Sequence, residues 1–487
     1  MVDALKVHEV FPNESVFKDR KLAEVFKAKA LPAFIRDWVL AKKADATGQV
    51  RNMPELHDYL SRLYPRQGER QAILDEAREN GSSRKFLARV EVRFDVAKNM
   101  VTFAIPDLSL DFKETMIEDY VWRDIRDKLL TQDAAGGWGI VRLGYNPPQE
   151  DGTPGKVTLS TFQSFCPYQV NLDYYREGRR QFTIDEWMDV LLGAIDYRSE
   201  GYADWDQKHA SLSRLLPFVQ PNLNLMELAP KGTGKSYMYG TISKYGWLVS
   251  GGVISRAKLI FDQQKRQPGL ISRTDYVAID EIQRTRFDPP DEMQSSLQGY
   301  MEAGEVGFGG LKVAGNAGIV LLGNVDIDEI SDDRCMVAKL PPIFQSTAFL
   351  DRFHGILLGT RIPRMHEDLK MDQAWGLNTE YFVEILHHLR SDTHYNDVVN
   401  TLIHCQSSHA DTRDVTAVRR LCIGYLKLLY PHVLSPEDID PVEFRRYCLA
   451  PAVRMRQSVR CQQKLLEPQE FGERDLPVFE VNPLYAR

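Results

Sequence analysis

This sequence predicts an α/β fold, an open parallel sheet behind a phosphate-binding loop, and three apolar runs carry the prediction. Residues 223–229, 275–281 and 317–324 are short and aliphatic, and each ends in polar or glycine-rich sequence. Strands buried on both faces of a parallel sheet read this way, without alternation. Ligands of open α/β sheets sit outside the carboxyl ends of such strands. The expected whole is an ATPase-type core with a helical lid, preceded by a helical and then β-rich N-terminal region.

A chain of 487 residues exceeds one core and implies two or three domains. Its 43% hydrophobic and 26% charged content fits a soluble protein, and no apolar run reaches membrane-spanning length. The N-terminus lacks the apolar core of a signal peptide. Six cysteines without a pairing pattern argue for a reducing compartment, so a cytoplasmic location is expected. A net charge of −7 excludes a wholly basic surface but leaves room for a local basic channel.

Taken in chain order, residues 14–80 look helical, with Val16–Ala30 and Leu56–Leu60 as examples, and Gly81-Ser-Ser closes the region. Phe86–Val96 alternates apolar and charged residues, and Met100–Ile105 follows a short turn. Gly137–Tyr145 and Lys156–Phe162 flank the loop Asn146–Gly155, rich in proline and glycine. A small β domain results, for which an oligonucleotide-binding barrel is one candidate. Thr183-Ile-Asp-Glu186 is a capping box before the helix Trp187–Ile195, and a helix at Ala210–Leu216 is expected to stop at Pro217. The expected domains are residues 1–82, 83–180, 181–360 and 361–487.

The first apolar run enters Ala229-Pro-Lys231-Gly232-Thr233-Gly234-Lys235-Ser236. Gly232 and Gly234 let the backbone curl, so that the N–H groups of Lys231 through Gly234 point at phosphate oxygens. A following helix adds the positive end of its dipole. Lys235 reaches the β- and γ-phosphates of ATP, and the Ser236 hydroxyl suits Mg²⁺. Ala229 stands where the usual motif has its first glycine. The second run ends in Asp280-Glu281, which assigns Asp280 to the magnesium shell and Glu281 to polarising the attacking water.

Residues 317–324 end in Asn324, which in ring ATPases of the AAA+ class resembles the amide that orients water beside the γ-phosphate. Ala348-Phe-Leu-Asp-Arg352-Phe-His-Gly resembles the segment carrying an arginine finger, which would serve a neighbouring subunit. Thr416-Ala-Val-Arg419-Arg420 resembles the second sensor of AAA+ lids; Arg419 is the first choice, with Arg420 as the alternative register. Between Asp280 and Asn324, Gly304–Gly315 reads as a β-hairpin. Minichromosome-maintenance helicases place a pore hairpin here, which makes Lys312 and Phe308 candidate DNA contacts; a plain surface hairpin is equally open. His404, Cys405 and His409 match no zinc spacing and are expected in helix packing. The basic run Arg445, Arg446, Arg454, Arg456, Arg460 and Lys464 is expected on a solvated helix face.

Together, Glu227–Ser236, Val249–Leu259, Val277–Ile282, Tyr300–Gly304, Gly323-Asn and Leu350–Phe353 resemble the BrxL family, Lon-like AAA+ proteins of bacterial BREX anti-phage systems. The resemblance covers about residues 20–465 and is most specific from 225 to 355. It implies a cytosolic ATP-dependent hexameric ring, single or stacked, with double-stranded DNA as its polymer and other phage-defence proteins as partners. Longer members end in a Lon-like protease domain. Sixty-eight residues follow Arg419, against ~180 for such a domain, so no protease activity is expected. Two other readings stay open: an ATP-dependent protein remodeller, and a nucleotide-gated scaffold on DNA.

Overall fold

Burial on both faces explains why the three apolar runs became strands. The computed structural model describes residues 4–485 apart from 29–30, 46, 66, 96–98, 131–136, 151, 264–266, 309 and 407–410. Strands of the main sheet are numbered β1 Leu225–Ala229, β2 Gly246–Ser250, β3 Tyr276–Asp280, β4 Gly318–Asn324 and β5 Gly355–Leu358. They lie in the order β5-β1-β4-β3-β2, every neighbouring pair parallel. All five residues of β1 and of β3 are buried. Registers pairing Asn324 with Ala229 and Asp280 with Ser250 bring the polar ends of the strands to one edge.

The helices used below are α1 Ile184–Ala194, α2 Lys235–Thr241, α3 Pro290–Ala303, α4 Thr379–Ser391, α5 Thr412–Leu429 and α6 Ala450–Leu466. Thr183 and Glu186 form the expected capping box at the start of α1. From that helix Trp187 is fully buried, its indole N–H donating to Leu428 O at 3.1 Å. Such a side chain contributes on the order of 2–3 kcal/mol by burial. One core holds residues of α1, β1, α4, α5 and α6 together, so the helices beyond residue 361 share the sheet's core.

Contacts divide the chain into residues 1–42, 168–260 and 269–487 as one unit, and 43–167 with 261–268 as the other. The expected boundary at residue 82 therefore falls inside a unit. Residues 15–18 are also not helical: Ser15–Lys18 is a strand pairing antiparallel with Ala374–Leu377. Lys18 is buried between Asp37 at 3.1 Å and Asp196 at 2.8 Å, partners far away in sequence. Pro217 does not end a helix but sits in the first turn of Leu216–Val219, where its missing N–H goes unneeded.

The second unit carries helices Met53–Leu63 and Arg70–Glu79 and a four-stranded sheet, in the order Phe86–Arg89, Trp138–Asn146, Lys156–Ser164, Thr115–Met116. Glu91–Asp95 and Met100–Ala104 form a separate two-stranded ribbon. Phe86, Phe103, Val141, Leu143 and Leu159 fill its core. Among the described residues, no helix is long and apolar enough to cross a membrane.

Candidate functional site

The glycine loop hangs between β1 and α2. Gly232 and Gly234 take φ of 84° and 80°, a region L-residues avoid. A Cβ on Gly234 would also lie 2.7 Å from the Tyr197 hydroxyl. Ala229 needs no such freedom: it is fully buried, and a Cβ on Gly359 would come within 2.2 Å of the Ala229 methyl. Two small residues therefore face each other where the usual motif spends a glycine. Beyond β5, the Met365 N–H bonds Gly232 O at 2.8 Å and ties a second segment to the loop.

Lys235 opens α2 and donates from Nζ to Ala229 O at 3.0 Å and Pro230 O at 3.1 Å. Burial makes its ammonium easier to deprotonate, the Arg214 charge adding to that while Glu227 and Asp280 oppose it. An arriving phosphate would relieve that cost. The Ser236 hydroxyl donates to Asp280 Oδ2 at 2.5 Å. A hydroxyl and a carboxylate oxygen brought together at a phosphate loop are hard ligands of the kind Mg²⁺ takes. Gln283 Nε2 donates to Asn324 O at 2.6 Å, joining the ends of β4 and β3.

Glu281 has φ 50° and ψ 49°, left-handed for a residue with a side chain. Its N–H bonds Asp280 Oδ1 at 2.8 Å. Strain of about 1–3 kcal/mol is characteristic of positions whose direction matters. Here it turns Glu281 out of the strand line, so that a Cβ on Gly251 would lie 3.7 Å from its Oε2.

Beneath the loop lies a pair that motif reading missed. Arg214 is fully buried and grips Glu227 of β1 twice, at 3.1 and 2.5 Å. Its remaining donors reach Thr233 O at 2.7 Å and Thr233 Oγ1 at 3.2 Å, anchoring the crown of the loop from behind. The signal was present: Glu227 interrupts an otherwise apolar strand, and a buried carboxylate requires a buried cation.

The structure thus brings together Lys231 through Ser236, Asp280, Glu281 and Asn324, and leaves the other predicted residues elsewhere. Arg352 precedes β5 and so lies at the N-terminal ends of the strands. There it donates to Gln298 O at 3.1 Å and to Ala348 O. Arg419 does not join the loop either: Arg420 beside it bonds Asn222 O, just before β1, at 3.0 Å. The hairpin exists, as Glu305–Phe308 paired with Leu311–Ala314; Lys312 is exposed and 2.7 Å from Glu305. The Phe308 side chain lies outside what is described.

Two expectations are corrected. Arg456 and Arg460 are buried, held by Asp351 and Asp414 at 2.6–2.7 Å rather than solvated. His404 and Cys405 lie on a short strand paired with Phe479–Val481, not in helix packing, and His409 lies outside the described residues. Among the described residues no group of three or more His, Cys, Asp or Glu could hold a metal.

Comparison with known proteins places these features in a family. A family described as "Lon-like protease BrxL-like, ATPase domain" matches residues 157–476, which contain every site residue above. "BREX system Lon protease-like protein BrxL N-terminal" matches residues 9–145. A relative named Lon-like protease BrxL from Escherichia coli O9:H4 (strain HS) is 29% identical over 491 residues, 99% of this chain and 67% of its own length. Another of that name, from Bacillus cereus (strain H3081.97), is 28% identical over 465 residues, 94% of this chain and 66% of its own. The chain spans about two thirds of either relative.

Proposed function

The chain belongs to the BrxL family of Lon-like BREX proteins, and from that premise we propose that it is a ring-forming AAA+ ATPase that binds DNA and couples ATP hydrolysis to movement on it or remodelling of it. The observation that carries the ATPase reading is the 2.5 Å contact between Ser236 and Asp280, which joins the phosphate loop to the acidic strand end. In this reading the loop N–H groups and Lys235 hold the phosphates. Ser236 and Asp280 would hold Mg²⁺, which when bound neutralises charge on the phosphate oxygens. Glu281 accepts a proton from the attacking water, and Asn324 orients that water.

Arg352 supports the oligomer. In its own chain it lies at the opposite ends of the strands from Lys235, which favours a role toward a nucleotide held by another copy. Hexameric closure, engagement of duplex DNA through Lys312 and Phe308, cytoplasmic location and other defence proteins as partners belong to the same proposal, supported by the resemblance to the family. Arg419 is left out of the in-chain site because α5 begins at the far end of the sheet.

The test is steady-state ATPase activity with and without duplex DNA at stated salt, with Lys235→Ala as blank. Glu281→Gln should bind ATP but turn over about 10²–10⁴-fold more slowly; normal turnover in that variant would sink the assignment. Stimulation by DNA that fades steeply with salt supports phosphate contacts. Stimulation by unfolded protein and not by DNA would favour a protein remodeller.

A further inference from the structure

The turn that follows α1 touches the glycine loop and its helix at two points. Asp196 stands in it with a φ of 67°, left-handed for a residue with a side chain. Its Oδ2 accepts from the hydroxyl of Tyr237, the residue after Ser236. Beside it, the Tyr197 hydroxyl lies 2.7 Å from where a Cβ on Gly234 would be.

Asp196 is held in turn from the N-terminal part of the same unit. Its Oδ1 accepts from Lys18 Nζ at 2.8 Å, and Arg36 grips both oxygens at 2.7 and 2.8 Å. Arg36 Nε also donates to Asp37 Oδ1 at 2.7 Å. Asp37, fully buried, accepts on Oδ2 from the backbone N–H and hydroxyl of Thr379, which opens α4, at 3.0 and 2.7 Å. Two cations thus face two carboxylates, and the two oxygens of Asp196 carry four hydrogen bonds. Charge-assisted, two-pronged bonds of this kind fix direction as well as supply energy. In such a network a shift of one donor is felt by the others.

The cluster joins the glycine loop to a unit boundary. On its loop side, α2 is seven residues long and has no side-chain cap at its start, so its first turn is held by Lys235, Ser236 and Tyr237. Lys235 and Ser236 are the groups that phosphate and Mg²⁺ would take over, whereas the Tyr237 hydroxyl is committed to Asp196. On its other side, Arg36 and Asp37 belong to the helix Ala33–Lys43, by which the chain passes into the second unit at Lys43.

We propose that Tyr237 is a positioning residue for the glycine loop and that, through Asp196 and Arg36, it couples occupancy of the loop to the helix Ala33–Lys43. The entry to the second unit thereby regulates the nucleotide site. The coupling rests on the ATPase reading above for its ligand, Mg·ATP. Linkage makes it reciprocal: ATP orders the helix, and whatever displaces the helix weakens ATP by the same factor.

Hydrogen exchange of the full chain, with and without saturating Mg·ATP, tests the coupling. In the unsubstituted chain exchange should slow at residues 231–236 and, by about fivefold or more, at residues 33–43. Tyr237→Phe removes one hydroxyl and keeps the ring. It should abolish the slowing at 33–43, keep it at 231–236, and raise the ATP dissociation constant about fivefold. Arg36→Lys keeps the charge but loses the two-pronged grip, and should act in the same direction more weakly. A merely structural cluster would speed exchange at 33–43 equally with and without ATP in both variants, leaving the ATP-dependent slowing intact. That result overturns the proposal, as does slowing confined to the loop in the unsubstituted chain. Absence of slowing at the loop itself overturns the ATPase reading and the coupling together, and is thereby told apart from both.

Discussion

At the C-terminal ends of the strands the protein presents backbone N–H groups, one lysine and two carboxylates. At the N-terminal ends, five residues or about 16 Å away, it buries Arg456 and Arg460 against Asp351 and Asp414. The loop end owes its shape to main chain: two glycines with positive φ and a strained Glu281. The far end owes its shape to side chains that reach across elements, Arg456 donating also to Phe353 O at 2.7 Å. Recognition by backbone dipoles costs little to keep ready, whereas paired buried charges hold α5, α6 and the start of β5 in one arrangement. One end presents groups able to receive negative charge, and the other is held by paired buried charges.

The largest expected effect tests that division. Arg456→Ala leaves Asp351 and Asp414 short of a buried partner and should lower stability by about 3–5 kcal/mol. Denaturant unfolding would read this, while nucleotide affinity of the still-folded chain stays close to wild type. If instead affinity fell and the unfolding midpoint held, the two ends would not be separable.

Mild acid should loosen the core around two buried histidines. Buried His354 is held neutral, and burial pushes buried His209 down to about 4. Their unfolded values lie near the ordinary ~6.5. Between about pH 6.5 and 4 the unfolded chain therefore binds more protons than the folded one. Stability is full above about pH 6.5 and declines as pH falls. Hydrogen exchange at pH 5 against pH 7 should show loss of roughly 1–3 kcal/mol around these histidines. His209→Asn should flatten part of the decline.

Arg214→Lys sharpens the picture of the loop end. Lysine keeps the charge but loses the two-pronged grip on Glu227 and the bonds to Thr233. KM for ATP should rise about tenfold, with a smaller change in kcat, and steady-state kinetics would show the split. The smallest effect belongs to neither end. Lys312→Ala should change stability by less than about 0.5 kcal/mol. If the hairpin meets DNA, the salt dependence of binding should drop by about one phosphate contact.

Much of the loop end was legible in the sequence because its determinants are local. Gly232, Gly234, Lys235, Ser236 and the Asp280-Glu281 pair lie in short contiguous stretches, and the apolar runs before them carry their own signal. Arg352 was recognisable as a segment, but its distance from Lys235 was not. Arg456 and Arg460 looked like part of a solvated basic face, because nothing in their own helix reveals Asp351 or Asp414. Ser15–Lys18 became a strand only through Ala374–Leu377, and Lys18 could be buried only because Asp37 and Asp196 meet it there.

By itself the sequence determined the α/β class, the glycine loop and the acidic strand end, since strand burial and loop curvature depend on residues within a few positions of one another. Tertiary structure alone decided which distant charges meet: Arg214 with Glu227 beneath the loop, Arg456 with Asp351, and Arg36 with Asp196. The physical reason is that burying a charge is governed by partners in space, and their separation along the chain leaves no local pattern.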